Sequence, residues 1–351
     1  MAGMKGISAP TIYVCTRMRV RKSKLLPREE YQRMLNMSLP EITRIIEETS
    51  YKQEIDELST TFKGIDLIEV ALSWNLAKEY QQIQEITPGT LKQFTRAYLR
   101  YWDIQNVLTI LRGKSQGEKA GRIKEVLVPA GSLDKVVLDR LLAEDNPDRV
   151  IEALKGRRLY PVLAREYQVA KETGSFARME NELYKQFYAE IIAESSGGVP
   201  GGRLFLAFVR LDIDSKNILT LFRLRADKTQ EDAKEMYITG GTITAADFAA
   251  LNTIQDYREF TDQLRAKVRT KPVVELLKGL ETEQPVHDIA SLLVRVQMEQ
   301  METLSKRNPF SIYPILVYLE KKKYEVFNLR ALARGKESKL SPEMIGKYLV
   351  M

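Results

Sequence analysis

The chain has almost no cysteine and almost no histidine. Its single cysteine, Cys15, excludes an internal disulfide framework, as expected for a reducing cytosol. One cysteine and one histidine also exclude a Cys/His zinc cluster, which needs four ligands. His287 lies in Glu281-Thr-Glu-Gln-Pro-Val-His287 and reads as a linker or a helix start rather than half of a catalytic pair. No run of about 18 apolar residues is present, so no transmembrane helix is expected. The segment Met1-Ala-Gly-Met-Lys-Gly-Ile-Ser8 has no apolar signal core, which places the chain in the cytoplasm or on a membrane only through a partner. Alternating apolar and polar residues, the mark of strands, are scarce. Val126–Pro129 and Met236–Thr239 are short extended pieces and read as connectors.

Phosphate loops are also missing. Ser195-Ser-Gly-Gly-Val-Pro-Gly-Gly202 lacks the Gly-Lys-Ser/Thr ending and has no strand before it, so it reads as an interhelical loop. Carboxylates are numerous, but no pair stands out as a general acid and base. No cofactor, metal or catalytic residue is assigned.

What is present is helical. Hydrophobic residues make up 44% of 351, enough for a sizeable core. Charge is mixed, with 54 basic against 47 acidic residues and a net +7. From Gln32 to Glu48 the apolar residues Met34, Leu35, Leu39, Ile42, Ile45 and Ile46 follow a helical period. Ser38 before Leu39-Pro40 reads as an N-cap, and Asp145-Asn-Pro-Asp148 does the same before Val150. Polar breaks are expected at Gly113–Gly121, Ser195–Gly202, Ala226–Asp232 and Asn308-Pro309.

The most informative feature is a repeat. Asp103-Ile-Gln-Asn106-Val-Leu-Thr-Ile-Leu-Arg112 returns as Asp214-Ser-Lys-Asn217-Ile-Leu-Thr-Leu-Phe-Arg223 and as Glu325-Val-Phe-Asn328-Leu-Arg-Ala-Leu-Ala-Arg334. The asparagines step by 111 residues twice, from 106 to 217 and from 217 to 328. Connectors follow the first two copies: Val128-Pro-Ala-Gly131-Ser-Leu133 matches Ile238-Thr-Gly-Gly241-Thr-Ile243. Leu138 and Leu141 in the next helix match Phe248 and Leu251, and the first unit offers Tyr31 and Met34 there. The period is too long for a solenoid. It indicates an all-α chain of three related helical bundles, divided at 1–122, 123–232 and 233–351, with a pseudo-threefold, ring-like or funnel-like body.

Acid and asparagine three residues apart share a helix face. Asparagine is a poor mid-helix residue, so its recurrence needs a partner. The expected one is a neighbouring helix whose register the amide fixes, with the acid holding the arginine of a neighbouring element. A motif present in every copy is expected to be scaffold rather than active site.

Arg17-Met-Arg19-Val-Arg21-Lys22-Ser-Lys24 is a basic cluster, read as a solvated or partner-facing helix side. A nucleic-acid interface would want more stacking aromatics beside it. Lys321-Lys-Lys323 likewise reads as a solvated face, and Tyr98, Tyr101 and Trp102 as the core and rim of a helix pair.

Tyr13-x-x-x-Arg17-Met-Arg-Val-Arg-Lys-Ser-Lys-Leu25-Leu26 with Tyr31 and Met34, together with the three Asp/Glu-x-x-Asn copies, resembles the family formed by the C subunit of archaeal A-type ATP synthases and the d subunit of the vacuolar ATPase. The resemblance runs over essentially the whole chain. It implies an all-helical funnel at the membrane end of a rotor, on the cytoplasmic face of the cell membrane. Its implied partners are central-stalk subunits of the D and F type and the ring of membrane proteolipid (c-type) subunits. It implies torque transmission and no chemistry. The third copy departs from the pattern, with Glu325 for Asp, a charged Arg330 where the other copies have Thr or Leu nearby and no long segment after it. The alternative reading is a helical scaffold or regulator of another cytoplasmic assembly.

Overall fold

Wherever apolar residues recur at helical spacing the chain is helical, and among the described residues there is no strand. The computed structural model describes residues 8–227 and 233–350. Helix α1 (Ala9–Lys22) comes first. A recurring series then begins with α2 (Arg28–Met34), α3 (Leu39–Glu47), α4 (Lys52–Leu58), α5 (Gly64–Ile86), α6 (Gly89–Leu99), α7 (Tyr101–Ser115) and α8 (Ala120–Glu125). Its second pass is α9 (Lys135–Ala143), α10 (Pro147–Ala153), α11 (Tyr160–Thr173), α12 (Ala177–Ser195), α13 (Gly202–Asp227) and α14 (Ala233–Met236). The third is α15 (Ala245–Thr253), α16 (Tyr257–Lys267), α17 (Lys271–Lys278), α18 (Val286–Arg307), α19 (Tyr313–Glu337) and α20 (Pro342–Lys347). In the first pass the motif helix is broken at Arg100 into α6 and α7; α13 and α19 are continuous.

Two compact units result, residues 1–164 with 314–351, and residues 165–313. In the first, α5 is buried almost all round by Ile68, Leu72, Leu76 and their neighbours. Two of its polar residues bond across to neighbouring segments. Asn75 Nδ2 donates to the Ser50 carbonyl and to Glu54, each at 2.9 Å, and Ser73 Oγ donates to the Glu125 carbonyl at 2.7 Å. The second unit has its own core, in which Phe222 and Phe260 meet edge to face at 5.2 Å among Leu221, Phe248, Leu264 and Ile289.

Local signals explain most helix starts. Asn146, Asp256 and Ser341 each cap a helix by accepting from the backbone three residues on. Ser38 and Glu41 bracket the first turn of α3, with the Ser38 N–H donating to Glu41 at 2.8 Å. Ile42 and Ile46 on that helix are fully buried, worth about 2 kcal/mol each.

Three expectations need correction. The run from Gln32 to Glu48 is two helices, since α2 stops in a turn at 35–37, and the cap read at Ser38 does start α3. The break at 113–121 is narrower: α7 continues through Gly113 to Ser115 and α8 starts at Ala120. Gly113 is helical, and Ile123 packs where a side chain would be, 2.7 Å from an ideal Cβ, so the position takes no larger residue without a shift. Lys322 is not solvated but 1% exposed, because it serves Glu325 one turn on and lies 3.8 Å from the Tyr51 ring centre. The break at 195–202 is confined to 196–201 between α12 and α13, and that at 308–309 stands as read; of Ala226–Asp232, Ala226 and Asp227 are the helical end of α13, and residues 228–232 lie outside the described residues.

Candidate functional site

The motif residues form clamps between a helix and the connector that follows it. Asn106, on α7, donates its amide to the Val128 carbonyl at 2.7 Å and accepts the Val128 N–H at 2.9 Å. A side-chain amide thus completes one backbone residue, as a strand neighbour would. Asn217, on α13, does the same to Ile238 at 2.8 and 3.0 Å. Asn328, on α19, does it to Val350, both bonds at 2.8 Å. The separations are 22, 21 and 22 residues.

The acid one turn earlier takes the rest of the connector. Asp103 accepts from the Ser132 N–H (2.9 Å), the Ser132 hydroxyl (2.6 Å) and the Leu133 N–H (2.8 Å). Asp214 accepts from the Thr242 N–H (2.7 Å), the Thr242 hydroxyl (2.6 Å) and the Ile243 N–H (3.2 Å). Burial pushes both carboxyls above the usual aspartate range, and these hydrogen bonds pull the other way. Glycine makes room for each carboxylate. A Cβ on Gly131 would stand 2.1 Å from Asp103 Oδ1, and one on Gly241 2.2 Å from Asp214 Oδ1.

In the third clamp the acid reaches back to the N-terminal segment. Glu325 accepts from the Leu26 N–H and the Tyr51 hydroxyl, each at 2.7 Å, and from Lys322 at 2.9 Å. Leu26 therefore stands where Leu133 and Ile243 stand. The register continues: Leu138 and Leu141 follow Leu133 by five and eight residues, Phe248 and Leu251 follow Ile243 likewise, and Tyr31 and Met34 follow Leu26 likewise. All six are buried. Helix α2 is thus the counterpart of α9 and α15. Lys24 stands at the glycine position, and there the acid is the longer Glu325.

The acids' nearby cations differ from expectation. The charge beside each comes from one turn upstream: Arg100, at the break before α7, for Asp103, Arg210 on α13 for Asp214 and Lys322 on α19 for Glu325. The amides complete connectors rather than fixing helix pairs, because a connector without strand partners has backbone groups that must be met. Of the motif arginines, Arg334 pairs with Glu69 at 2.5 and 3.1 Å, Arg112 lines a cavity of about 520 Å³ between α5, α7 and α8, and Arg223 is exposed. The irregular Arg330 reaches the Ser73 hydroxyl at 2.5 Å, and burial lowers its pKa to about 10.

A bulk exchange deepens the repeat. Seven residues after each asparagine stand Gly113, Leu224 and Gly335; five before each clamped residue stand Ile123, Ala233 and Ile345. Ile345 lies 2.5 Å from an ideal Cβ on Gly335, as Ile123 lies against Gly113. The second copy reverses the sizes, and Leu224 and Ala233 both belong to the core of its unit. The sequence signal for this is the pairing of a small residue with a large one at fixed offsets.

The basic cluster does not act as one face. Arg21 turns inward to Glu79 (2.5 Å) and Gln82 (2.9 Å), and Glu79 also accepts the Tyr318 hydroxyl (2.8 Å). Arg17 stacks near Tyr13 and donates to its hydroxyl. Arg17 and Lys24 are exposed; Arg19 and Lys22 are half-buried. His287 lies in the first turn of α18. Among the described residues, no group of three or more His, Cys, Asp or Glu is placed to hold a metal ion, and no helix is long and apolar enough to cross a membrane.

Fold and clamps together define a helical repeat protein whose recurrent polar residues are engaged by its own backbone. The chain belongs to the ATP synthase (C/AC39) subunit family, whose model matches residues 14–348. It is 39% identical to the C subunit of the A-type ATP synthase of Methanosarcina acetivorans over 345 residues, 97% of this chain and 92% of that one. It is 33% identical to the same subunit from Archaeoglobus fulgidus, over 99% of this chain and 98% of the relative. The Haloferax volcanii relative is 32% identical, over 97% of each.

Proposed function

We propose that this chain is the part of an A-type rotary ATP synthase that joins the central stalk to the membrane proteolipid ring and carries torque between them. The observation that carries this reading is the family match along nearly the whole length. The clamps support it mechanically. A torque-bearing part must not let its connectors slip, and the first two clamps hold their connectors with buried amide–backbone hydrogen bonds, the third with part-buried ones. In this reading the copies at 1–122, 123–232 and 233–351 form a funnel-like body, and the clamps 106–128 and 217–238 bridge the two divisions. The partners are D- and F-type stalk subunits on one side and c-type subunits on the other. The chain sits peripherally on the cytoplasmic face of the cell membrane and makes or breaks no bonds itself.

Reconstitution of the complex with and without this chain tests the proposal. Without it, the catalytic head should still hydrolyse ATP, but ion pumping and association of the head with the ring should be lost. Ion pumping that persists without the chain, or a full-length chain that binds neither stalk nor ring, overturns it.

A further inference from the structure

The third clamp differs from the other two in what it holds. Asn106 and Asp103 both grip the stretch from Val128 to Leu133, and Asn217 and Asp214 both grip that from Ile238 to Ile243. In the third, Asn328 holds Val350 while Glu325 holds Leu26, and these are separate stretches of chain. Leu26 belongs to the segment that begins with α1, so the clamp grips that segment through the acid alone.

The grip is also slighter. Asp103 and Asp214 each take two backbone N–H groups and a hydroxyl from their connector. Glu325 takes one backbone N–H from the N-terminal segment. Leu133 and Ile243 are 2% and 1% exposed, whereas Leu26 is half-buried. Ahead of Leu26, α1 lies on its support by one face. Its Val14, Cys15 and Met18 are fully buried, while Ile12, Tyr13 and Val20 on the other side are exposed. Arg21 adds the polar anchor to Glu79 and Gln82 of α5.

Whether a segment can leave depends on what it strands. A buried carboxylate stripped of its partners is costly. If the first or second connector lifted, Asp103 or Asp214 would lose all three of these bonds, and the asparagine both of its own. When the N-terminal segment lifts, Glu325 keeps the Tyr51 hydroxyl and Lys322, Glu79 keeps the Tyr318 hydroxyl, and Asn328 keeps Val350. Neither acid is left without a partner. Arg21 and the Leu26 N–H pass to water, which satisfies both.

We propose that residues 8–27 are a strap that lifts and reseats as one unit, turning at the exposed Pro27 and Arg28, while the first two clamps stay closed. Burial of Val14, Cys15 and Met18 holds the strap down, and the conformational freedom it regains favours release. The device gives the N-terminal helix a seated and a free form without unfolding the helices beneath it.

Cys15, the one cysteine of the chain, lies on the inner face of the strap and reports its lifting. The full-length chain is exposed to excess maleimide across a urea series, and amide hydrogen exchange is followed in parallel. Cys15 should be labelled through an opening much less dependent on urea than global unfolding, well before helical circular dichroism is lost. The protection factor of the Leu26 amide should be at least tenfold below those of Leu133 and Ile243. R21Q removes the anchor to Glu79 and should speed labelling about tenfold, with protection at Leu133 and Ile243 unchanged. Cys15 labelling that follows global unfolding in midpoint and urea slope overturns the proposal, as does protection of Leu26 equal to that of Leu133 and Ile243. An R21Q chain in which all three amides lose protection together also overturns it, because the strap is then part of the common fold. The wild-type measurements stand whether or not R21Q folds.

Discussion

Leu26 donates its backbone N–H to Glu325 at 2.7 Å across 299 residues of chain. The bond puts an N-terminal residue in the place that Leu133 and Ile243 take in the other two clamps. Shortening the acid tests it. E325D should fail to span to Leu26 and Tyr51 and leave Lys322 buried beside a misplaced charge, costing roughly 3 kcal/mol. Limited proteolysis should then cut faster between Lys22 and Arg28, and an unchanged cleavage rate would show that the segment is held by other contacts.

The asparagines should each be worth more than an ordinary hydrogen bond. N106L or N217L strands one buried N–H and one buried carbonyl, at roughly 2–4 kcal/mol in denaturant unfolding, and N328L, whose partner Val350 is half-buried, should cost less. Stability equal to wild type together with lost complex assembly would instead make these residues partner contacts.

Space is the issue at Gly131. G131A brings a Cβ within 2.1 Å of Asp103 Oδ1 and should lower stability by about 2 kcal/mol or more. G121A is the matched control: nothing lies within 4 Å of its Cβ, and alanine in α8 should stabilise by about 0.5–1 kcal/mol. Thermal melting of the two variants separates crowding from backbone entropy.

Acid should favour two of the clamps. Asp103 and Asp214 bind their protons more tightly when folded than the ordinary value of 3.8, chiefly through burial. Folding therefore takes up protons in the window above pH 3.8. The contribution of these groups is fullest below that window and is lost as pH rises through their raised values. Glu166 and Asp247, lowered by their cationic and hydroxyl partners, act in the opposite sense. The comparison with D103N/D214N isolates the clamps: the stability advantage of wild type over the variant should grow as pH falls from 7 towards 4. A pH-independent difference would contradict the assignment.

Cys15 should be inert. Burial raises its thiol to about 11, against a smaller opposing effect of Arg19. At pH 7.5 a thiol reagent should label the folded chain far more slowly than the unfolded chain.

Much of this is legible in the sequence, and the limits are physical. The three motifs, their connectors and the matching of Tyr31 and Met34 with later pairs can all be read from spacing. The acid's partner cannot. A buried carboxylate is satisfied as well by two backbone amides and a hydroxyl as by a guanidinium, and only the fold decides. Lys322 departs from expectation because a charge run reveals nothing of which residue turns inward. The cluster from Arg17 to Lys24 divides for the same reason: successive residues on α1 point about 100° apart, so Arg21 faces Glu79 while Arg17 does not.

Because the first two motif helices each grip a connector that leads into the next series, and the third holds the segment that leads into the first, a series and its own clamp are not encoded by one stretch of chain. A length of gene cut to encode one series would yield an open link, its amide with nothing to hold and its own leading connector unheld.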